Sequence, residues 1–477
     1  MPGGAPVGPL DIEAQELRRL GHWVVDRTVE HLATLRDRPA ITTASYDELV
    51  ALLGGPVPRE PRPVEEGLAL LADVALEHQQ HGDHPRYFAR VPGPSSPVAI
   101  LGDWLATGMQ AIASSWGGGS GTATLELVAL GWLRDALGLP ATAEGVLSSG
   151  GSMANTTALA AARAEMGPGV VYVSDQTHSS IGRSLRALGW GESEVRVVPS
   201  DASYRLTATA LRQAVDADLA AGLRPTVVVA TAGSTNTGAV DELAGLADVA
   251  AAHGLWLHVD GAYGGPAALA QGRNGILGLE RADSFVLDPH KWLFQPYDLG
   301  CVWVSRPGAL ERTFAMHPEY LVDAQVGGDG PDRETDLHNR GFELSRRARG
   351  AKLWLTLRTY GLDVLVAAVQ RGVALAELAE SVVSSEARLE LVTPASLGVV
   401  TFAVLGLDDA GHRRVAAEVT ADGFAAVSST VLSRRTVLRL CTINPATTDD
   451  DVRRTVALLA DVGARVSGRG GGDGSSR

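Results

Sequence analysis

His258-Val259-Asp260-Gly261-Ala262-Tyr263 and, further along, Asp288-Pro289-His290-Lys291-Trp292 are the segments on which the reading of this chain turns. Each closes a short apolar run, 255–259 and 284–287, with the length and β-branched content of a buried strand. A lysine between proline, histidine and tryptophan at a strand end is not a solvated surface lysine. Its amine is placed to form an imine with a carbonyl compound. An aspartate at a neighbouring strand end can keep a pyridine nitrogen protonated.

Outward from these segments, between 145 and about 305, short β-branched runs alternate with Ala/Leu-rich helical ones. Residues 170–173, 195–198, 226–230 and 255–259 read as strands, with helices at 206–221 and 241–253. That alternation predicts a mostly parallel α/β sheet. Three more motifs fall at strand ends, where open sheets of this kind place their ligands. Ser148-Ser149-Gly150-Gly151-Ser152-Met153-Ala154-Asn155 opens an alanine-rich helix. Its glycines let backbone approach an anion, and Ser152 offers a hydroxyl and an amide. Alone it reads as a tight turn; beside Lys291 and Asp260 it reads as a phosphate cradle. Ser174-Asp175-Gln176-Thr177-His178 brings an imidazole that can stack on a pyridine ring, although a lone histidine is more often structural. Thr231-Ala232-Gly233-Ser234-Thr235 brings hydroxyls for a ring oxygen or phosphate, or for helix capping. Imine lysine, acidic ring partner, stacking imidazole and anion cradle together point to pyridoxal 5'-phosphate (PLP) as cofactor.

Composition bounds the rest. The 477 residues suffice for more than one structural unit, and the net charge of -14 argues against a nucleic-acid partner. No apolar run has the length of a membrane span, and no secretory signal is visible at Met1-Pro2-Gly3. Cys301 and Cys441 read as reduced core residues of a cytoplasmic protein, and no metal is expected. The expected organisation is a helical N-terminal segment (1–85), a large α/β domain (86–355), a small α+β domain (356–466) and a disordered Gly/Ser-rich tail (467–477).

With these motifs in place, the chain resembles the group II PLP-dependent amino-acid decarboxylases, the family of aromatic-L-amino-acid and glutamate decarboxylases. The resemblance runs from His84-Pro85-Arg86-Tyr87-Phe88 to Leu440-Cys441-Thr442-Ile443-Asn444-Pro445. It implies PLP fold type I, with a mostly parallel seven-stranded sheet, and a homodimer with active sites at the subunit interface. It implies that Lys291 carries the cofactor as an imine, that Asp260 pairs with the pyridine nitrogen and that His178 stacks on the ring. Ala262 would pack the opposite face, Gly151 and Ser152 would bind phosphate, and Thr235, Asp288 and His290 would complete the cofactor site. The implied reaction is α-decarboxylation of an L-amino acid, with aromatic or other neutral side chains favoured, to an amine and carbon dioxide.

Some positions depart from the family pattern. Val91, Gly93 and Ser114 stand where the aromatic branch carries bulkier or differently polar residues, which widens the expected substrate pocket. Arg439 matches an arginine that reaches the substrate carboxylate in the glutamate branch, and is equally readable as a structural salt bridge. The segment 316–340 resembles the family's mobile lid. Counting back without gaps from Arg346-Arg347 puts Leu337 where aromatic decarboxylases have a proton-donating tyrosine. His338, His317 and Tyr320 are the candidate substitutes. Leu337 therefore keeps open an oxygen-dependent enzyme forming an aldehyde. A catalytically silent homologue acting as a binding subunit is a separate alternative, against which the intact Lys291, Asp260 and His178 weigh.

Overall fold

The computed structural model describes residues 10–316 and 334–470. At its centre is a sheet of β1 (Glu144–Ser148), β2 (Val170–Ser174), β3 (Val195–Val198), β4 (Pro225–Thr231), β5 (Trp256–Asp260), β6 (Ser284–Leu287) and β7 (Gly300–Val304). Their order is β1-β7-β6-β5-β4-β2-β3. Strands β2 to β6 pair in parallel, and β7 is antiparallel to both β1 and β6. Strands β1 to β6 thus all run one way and share one carboxyl-end edge. Residues 300–304, which the alternation pattern does not single out, supply the reversed strand.

The β-branched runs are continuous because both faces of the sheet are covered. Along β4, Val228 and Ala230 join one apolar cluster, while Val227 and Val229 join the other. This is the two-residue period of a strand buried on both sides. Each such valine contributes roughly 1.5–3 kcal/mol relative to exposure.

A second, fully antiparallel sheet contains β8 (Leu389–Ser396), β9 (Val399–Val404), β10 (Ser428–Leu432) and β11 (Arg435–Cys441), in the order β10-β11-β9-β8. Helices Leu362–Ser385, Asp409–Asp422 and Asp449–Gly470 pack with it around Phe402, Leu438, Leu440 and Val456. The two sheets are joined by the aromatic ends of the two deciding motifs. Tyr263 and Trp292 stack with centroids 5.4 Å apart and planes 6° apart, and the Gly398 amide donates to Tyr263 Oη at 2.9 Å.

Two expected boundaries move. The division at 355/356 falls inside the helix Gly350–Tyr360, and the helical break comes at Gly361, where φ is +75°. Glycine adopts that backbone without the Cβ penalty other residues bear. The last helix runs to Gly470, past the tail boundary at 467, because apolar residues to Val466 keep its inner face buried. The rest of that tail, 471–477, lies outside the described residues. At the other end, helices Ala14–Thr34, Tyr46–Leu53 and Val64–Leu70 are followed by a π-helical turn, Leu71–Ala75. Among the described residues no helix is long and apolar enough to cross a membrane.

One buried ion pair locks β1 in place. Glu126, on the helix Trp116–Ala136, accepts at Oε1 from the Leu147 amide (2.8 Å) and from Arg346 (2.7 Å). Arg346 also donates to the carbonyls of Leu147 and Ala113, each at 2.6 Å. Breaking a buried pair strands one charge, whereas replacing both partners is far milder. We expect Glu126→Leu to lower stability by about 3–5 kcal/mol. Adding Arg346→Met should recover much of it, as read by denaturant unfolding, and equal destabilisation in both variants would contradict this account.

Candidate active site

Four strand ends and one helix start meet around a cavity of about 490 Å³. Lys291, Asp288, His290, Asp260, Ala262, His178, Thr235, Gly151, Ser152 and Val91 all line it. Thr231 of the hydroxyl motif lines it too, as do Ser180, Asn155, Met153 and Arg90, to which the sequence reading gave no individual role.

Lys291 sits just beyond β6, in the short helix Pro289–Trp292, with its Nζ 2.7 Å from Asp288 Oδ2. Burial alone pulls its pKa down, but the charge and hydrogen bond of Asp288 outweigh that and leave it raised. His290 Nε2 stands 3.6 Å from the same carboxylate oxygen, and burial holds His290 below its usual range. The only other lysine, Lys352, is fully buried elsewhere, bonded to the Pro296 carbonyl (2.9 Å) and paired with Asp103 (3.2 Å).

Asp260 is the last residue of β5 and both of its oxygens are held. Oδ1 accepts from the Ala262 amide and Oδ2 from Asn155 Nδ2, each at 3.0 Å. Asn155 Oδ1 faces His258 Nε2 at 2.9 Å, so His258 is the donor there, and its Nδ1 accepts from Ser284 Oγ at 2.9 Å. Complete burial pushes His258 down to about 4, which keeps this ring neutral at ordinary pH. On the other side of the cavity His178 Nδ1 accepts from the Ser180 amide at 3.2 Å and lies 2.8 Å from Ser180 Oγ. Burial lowers the pKa of His178, with Asp260 opposing and Lys291 reinforcing the shift.

The anion cradle is built from close approach. Gly150 has φ +134°, and no side chain caps the helix Gly151–Met166 that it opens. A Cβ on Gly151 would lie 2.7 Å from Asp288 Oδ2 and 2.9 Å from Ala262 Cβ. A Cβ on Gly300 would lie 2.6 Å from Gly150 backbone, so β7 also needs glycine to let the loop settle. The first amides of such a helix, with its dipole, suit a phosphate. Thr231 Oγ1 and Asp288 Oδ1 are buried without a hydrogen-bond partner among the described residues. Orphaned polar atoms around a glycine cradle and an imine-forming lysine fit PLP.

Four expected site residues lie off the cavity lining. A Cβ on Gly93 would strike Tyr297 Oη, and the Tyr297 ring packs on His290 at 4.8 Å, so Gly93 bears on the site only through them. The Ser114 carbonyl accepts from the His338 amide at 3.0 Å, and Ser114 Oγ accepts from the Arg346 amide at 3.0 Å. Arg439 is buried and donates Nη1 to the carbonyl of Arg90, a cavity residue. Leu337 is fully buried against Ala113, Ala123 and Ala348 and does not line this cavity. Of the expected lid, 317–333 lies outside the described residues, and with it His317, Tyr320, Gly327, Gly328 and Gly330.

Two outcomes follow from this geometry. Gly151→Ala should weaken PLP binding by at least about ten-fold, since a 1.4 kcal/mol loss already does so; titration by cofactor absorbance reads it, and unchanged affinity would contradict the cradle. His258 has a folded pKa below its ordinary 6.5, so the stability it contributes is present above 6.5 and is lost as pH falls toward about 4. His258→Gln should flatten stability against pH across that window, and an unaltered acid limb would count against it.

The comparisons agree with the geometry. Residues 50–405 match the family model described as the pyridoxal-dependent decarboxylase conserved domain. An aromatic-L-amino-acid decarboxylase of Bacillus atrophaeus is 38% identical over 471 residues, covering 96% of this chain and 98% of that protein. A phenylacetaldehyde synthase of Arabidopsis thaliana is 31% identical, covering 96% and 97% of the two chains. The crystal structure of Oryza sativa TDC with PLP and tryptamine superposes with a TM-score of 0.89 at 30% identity, over 96% of this chain and 99% of that one. With a matching domain, a matching fold and a cavity fitted to the cofactor, the chain belongs to the pyridoxal-dependent decarboxylase family and is a PLP-dependent amino-acid decarboxylase.

Proposed function

We propose that the substrate is an aromatic L-amino acid, and that the products are carbon dioxide and the corresponding amine. The observation that carries the reading is the meeting of Lys291, Asp260 and His178 in one cavity. The aromatic preference is supported by the Bacillus atrophaeus relative and by the tryptamine of the superposed structure. Val91 and Met153 add apolar surface to the cavity wall.

When bound, PLP supplies an aldehyde for the imine and a ring that takes up the electron pair left as carbon dioxide departs. The residues of the chain do the rest. Lys291 would hold the aldehyde, and its amine, with a pKa raised by Asp288, would serve as a proton store at the cavity wall. Asp260, held by Ala262 and Asn155, would face the ring nitrogen and favour its protonated form. His178, turned by Ser180, offers a neutral ring for stacking. Gly151 and Ser152 would bind the phosphate, Thr235 would line the same cavity, and Ala262 would pack the ring. Arg439 supports the wall through the Arg90 carbonyl.

The aldehyde-forming alternative is an outcome of the product assay, since a phenylacetaldehyde synthase is among the relatives. We also read the enzyme as a cytoplasmic homodimer. Leu17 and Val29 on the first helix, Leu52 on the second and Leu71 beyond the third are large apolar residues left exposed, which suits burial against a second copy. Ser114 and His338, off this chain's own cavity, are then the part of the pocket that a second copy completes.

Carbon dioxide release across a panel of amino acids, with product identification, tests the substrate. The expected result is amine and carbon dioxide in equal amounts from tryptophan, tyrosine or phenylalanine, without peroxide. Release from glutamate alone, or aldehyde with peroxide, would overturn the reading. Asp260→Asn should cut turnover by about two to three orders of magnitude with cofactor still bound, and near-normal turnover would place the electron sink elsewhere. Light scattering should give twice the chain mass, and a monomer would contradict the dimer.

A further inference from the structure

Away from the cofactor cavity, three metal-ligating side chains converge at the end of the first helix. His31 lies in the last turn of Ala14–Thr34. His81 and Asp83 come from the loop that leads on to the cavity residues Arg90 and Val91. One ligand atom from each of the three lies within 4.8 Å of the other two. His31 Nε2 is 2.8 Å from Asp83 Oδ2, and the two imidazole centroids are 5.8 Å apart.

His81 is the unusual member. It is 2% exposed, and neither of its ring nitrogens has a hydrogen-bond partner among the described residues. Burying a polar ring with both nitrogens unpaired is unfavourable. The neighbouring histidines are satisfied. His78 Nδ1 meets the Val74 carbonyl at 2.7 Å; His84 Nε2 meets the Arg38 carbonyl at 3.1 Å, and its Nδ1 accepts from the Arg86 amide.

The loop is also fixed before any ligand arrives. The His81 amide donates to the Ala40 carbonyl (3.1 Å), the Gly93 amide to the Gly82 carbonyl (2.9 Å), and Asn444 Nδ2 to the Asp83 carbonyl (2.7 Å). The site lies at a helix carboxyl end, whose dipole favours a cation.

We propose that His31, His81 and Asp83 form a binding site for a divalent transition-metal ion of the zinc type. Two imidazoles and one carboxylate suit zinc and its neighbours over magnesium or calcium, which require oxygen ligands. The ion ties the first helix to the loop that becomes the cavity wall at Arg90 and Val91, so its role is structural.

The test uses the PLP-loaded enzyme, stripped with a chelator, dialysed and titrated with zinc by calorimetry in excess magnesium. Metal content is read independently by mass spectrometry. The expected result is one zinc per chain and a raised melting temperature. Affinity should fall by at least about ten-fold in His31→Ala and His81→Ala and stay unchanged in His78→Ala. His31 is half-buried on a helix, so His31→Ala keeps the test decisive even where His81→Ala does not fold; circular dichroism checks both. Absence of zinc binding in the parent enzyme, or equal binding in His31→Ala, would overturn the site.

Discussion

A single buried amide, Asn155, holds the two faces of the active site in register. Its nitrogen donates to Asp260 at 3.0 Å and reaches Ser180 Oγ at 3.4 Å, while its oxygen accepts from His258. Asp260 is thereby linked to the element that carries His178, and both to the helix whose first residues make the anion cradle. The amide has one orientation, because its nitrogen serves the carboxylate and its oxygen takes the His258 Nε2–H. Burial keeps the His258 ring neutral.

The central sheet explains why so many weak motifs converge. Six strands pointing one way bring their following loops to one edge, so residues far apart in sequence share a cavity. The reversed strand β7 closes the sheet beside β1 and, through Gly300, lets the glycine loop settle against it. Tyr263 and Trp292 then fasten the same two motifs to the small antiparallel sheet. Chemistry and assembly therefore use neighbouring positions of one segment: Asp260 and Lys291 face the cavity, while Tyr263 and Trp292 face the junction.

Much of this was legible from periodicity. Strands at 195–198 and 284–287 keep the bounds read from sequence, since β-branched runs between polar breaks have little freedom in register. The expected cofactor residues that line the cavity share it because each lies at, or within a few residues of, a strand's carboxyl end. Asn155 was not given a role, although its position four residues after Gly151 puts it on the same helix face. Leu337 was placed by counting back from Arg346 across Gly341, and loop length sets little constraint on where a flanking residue lands. Gly93 and Arg439 reach the site only through Tyr297 and Arg90, an indirectness that no sequence spacing encodes.

The central claim is that Lys291 is the residue that holds the cofactor. Borohydride reduction of the PLP-loaded enzyme, followed by peptide mass analysis, addresses it most directly. The account predicts one pyridoxyl group per chain, on the peptide containing Asp288-Pro289-His290-Lys291-Trp292, with loss of the imine absorbance. A modification on Lys352, or an imine absorbance that survives Lys291→Ala, would contradict it.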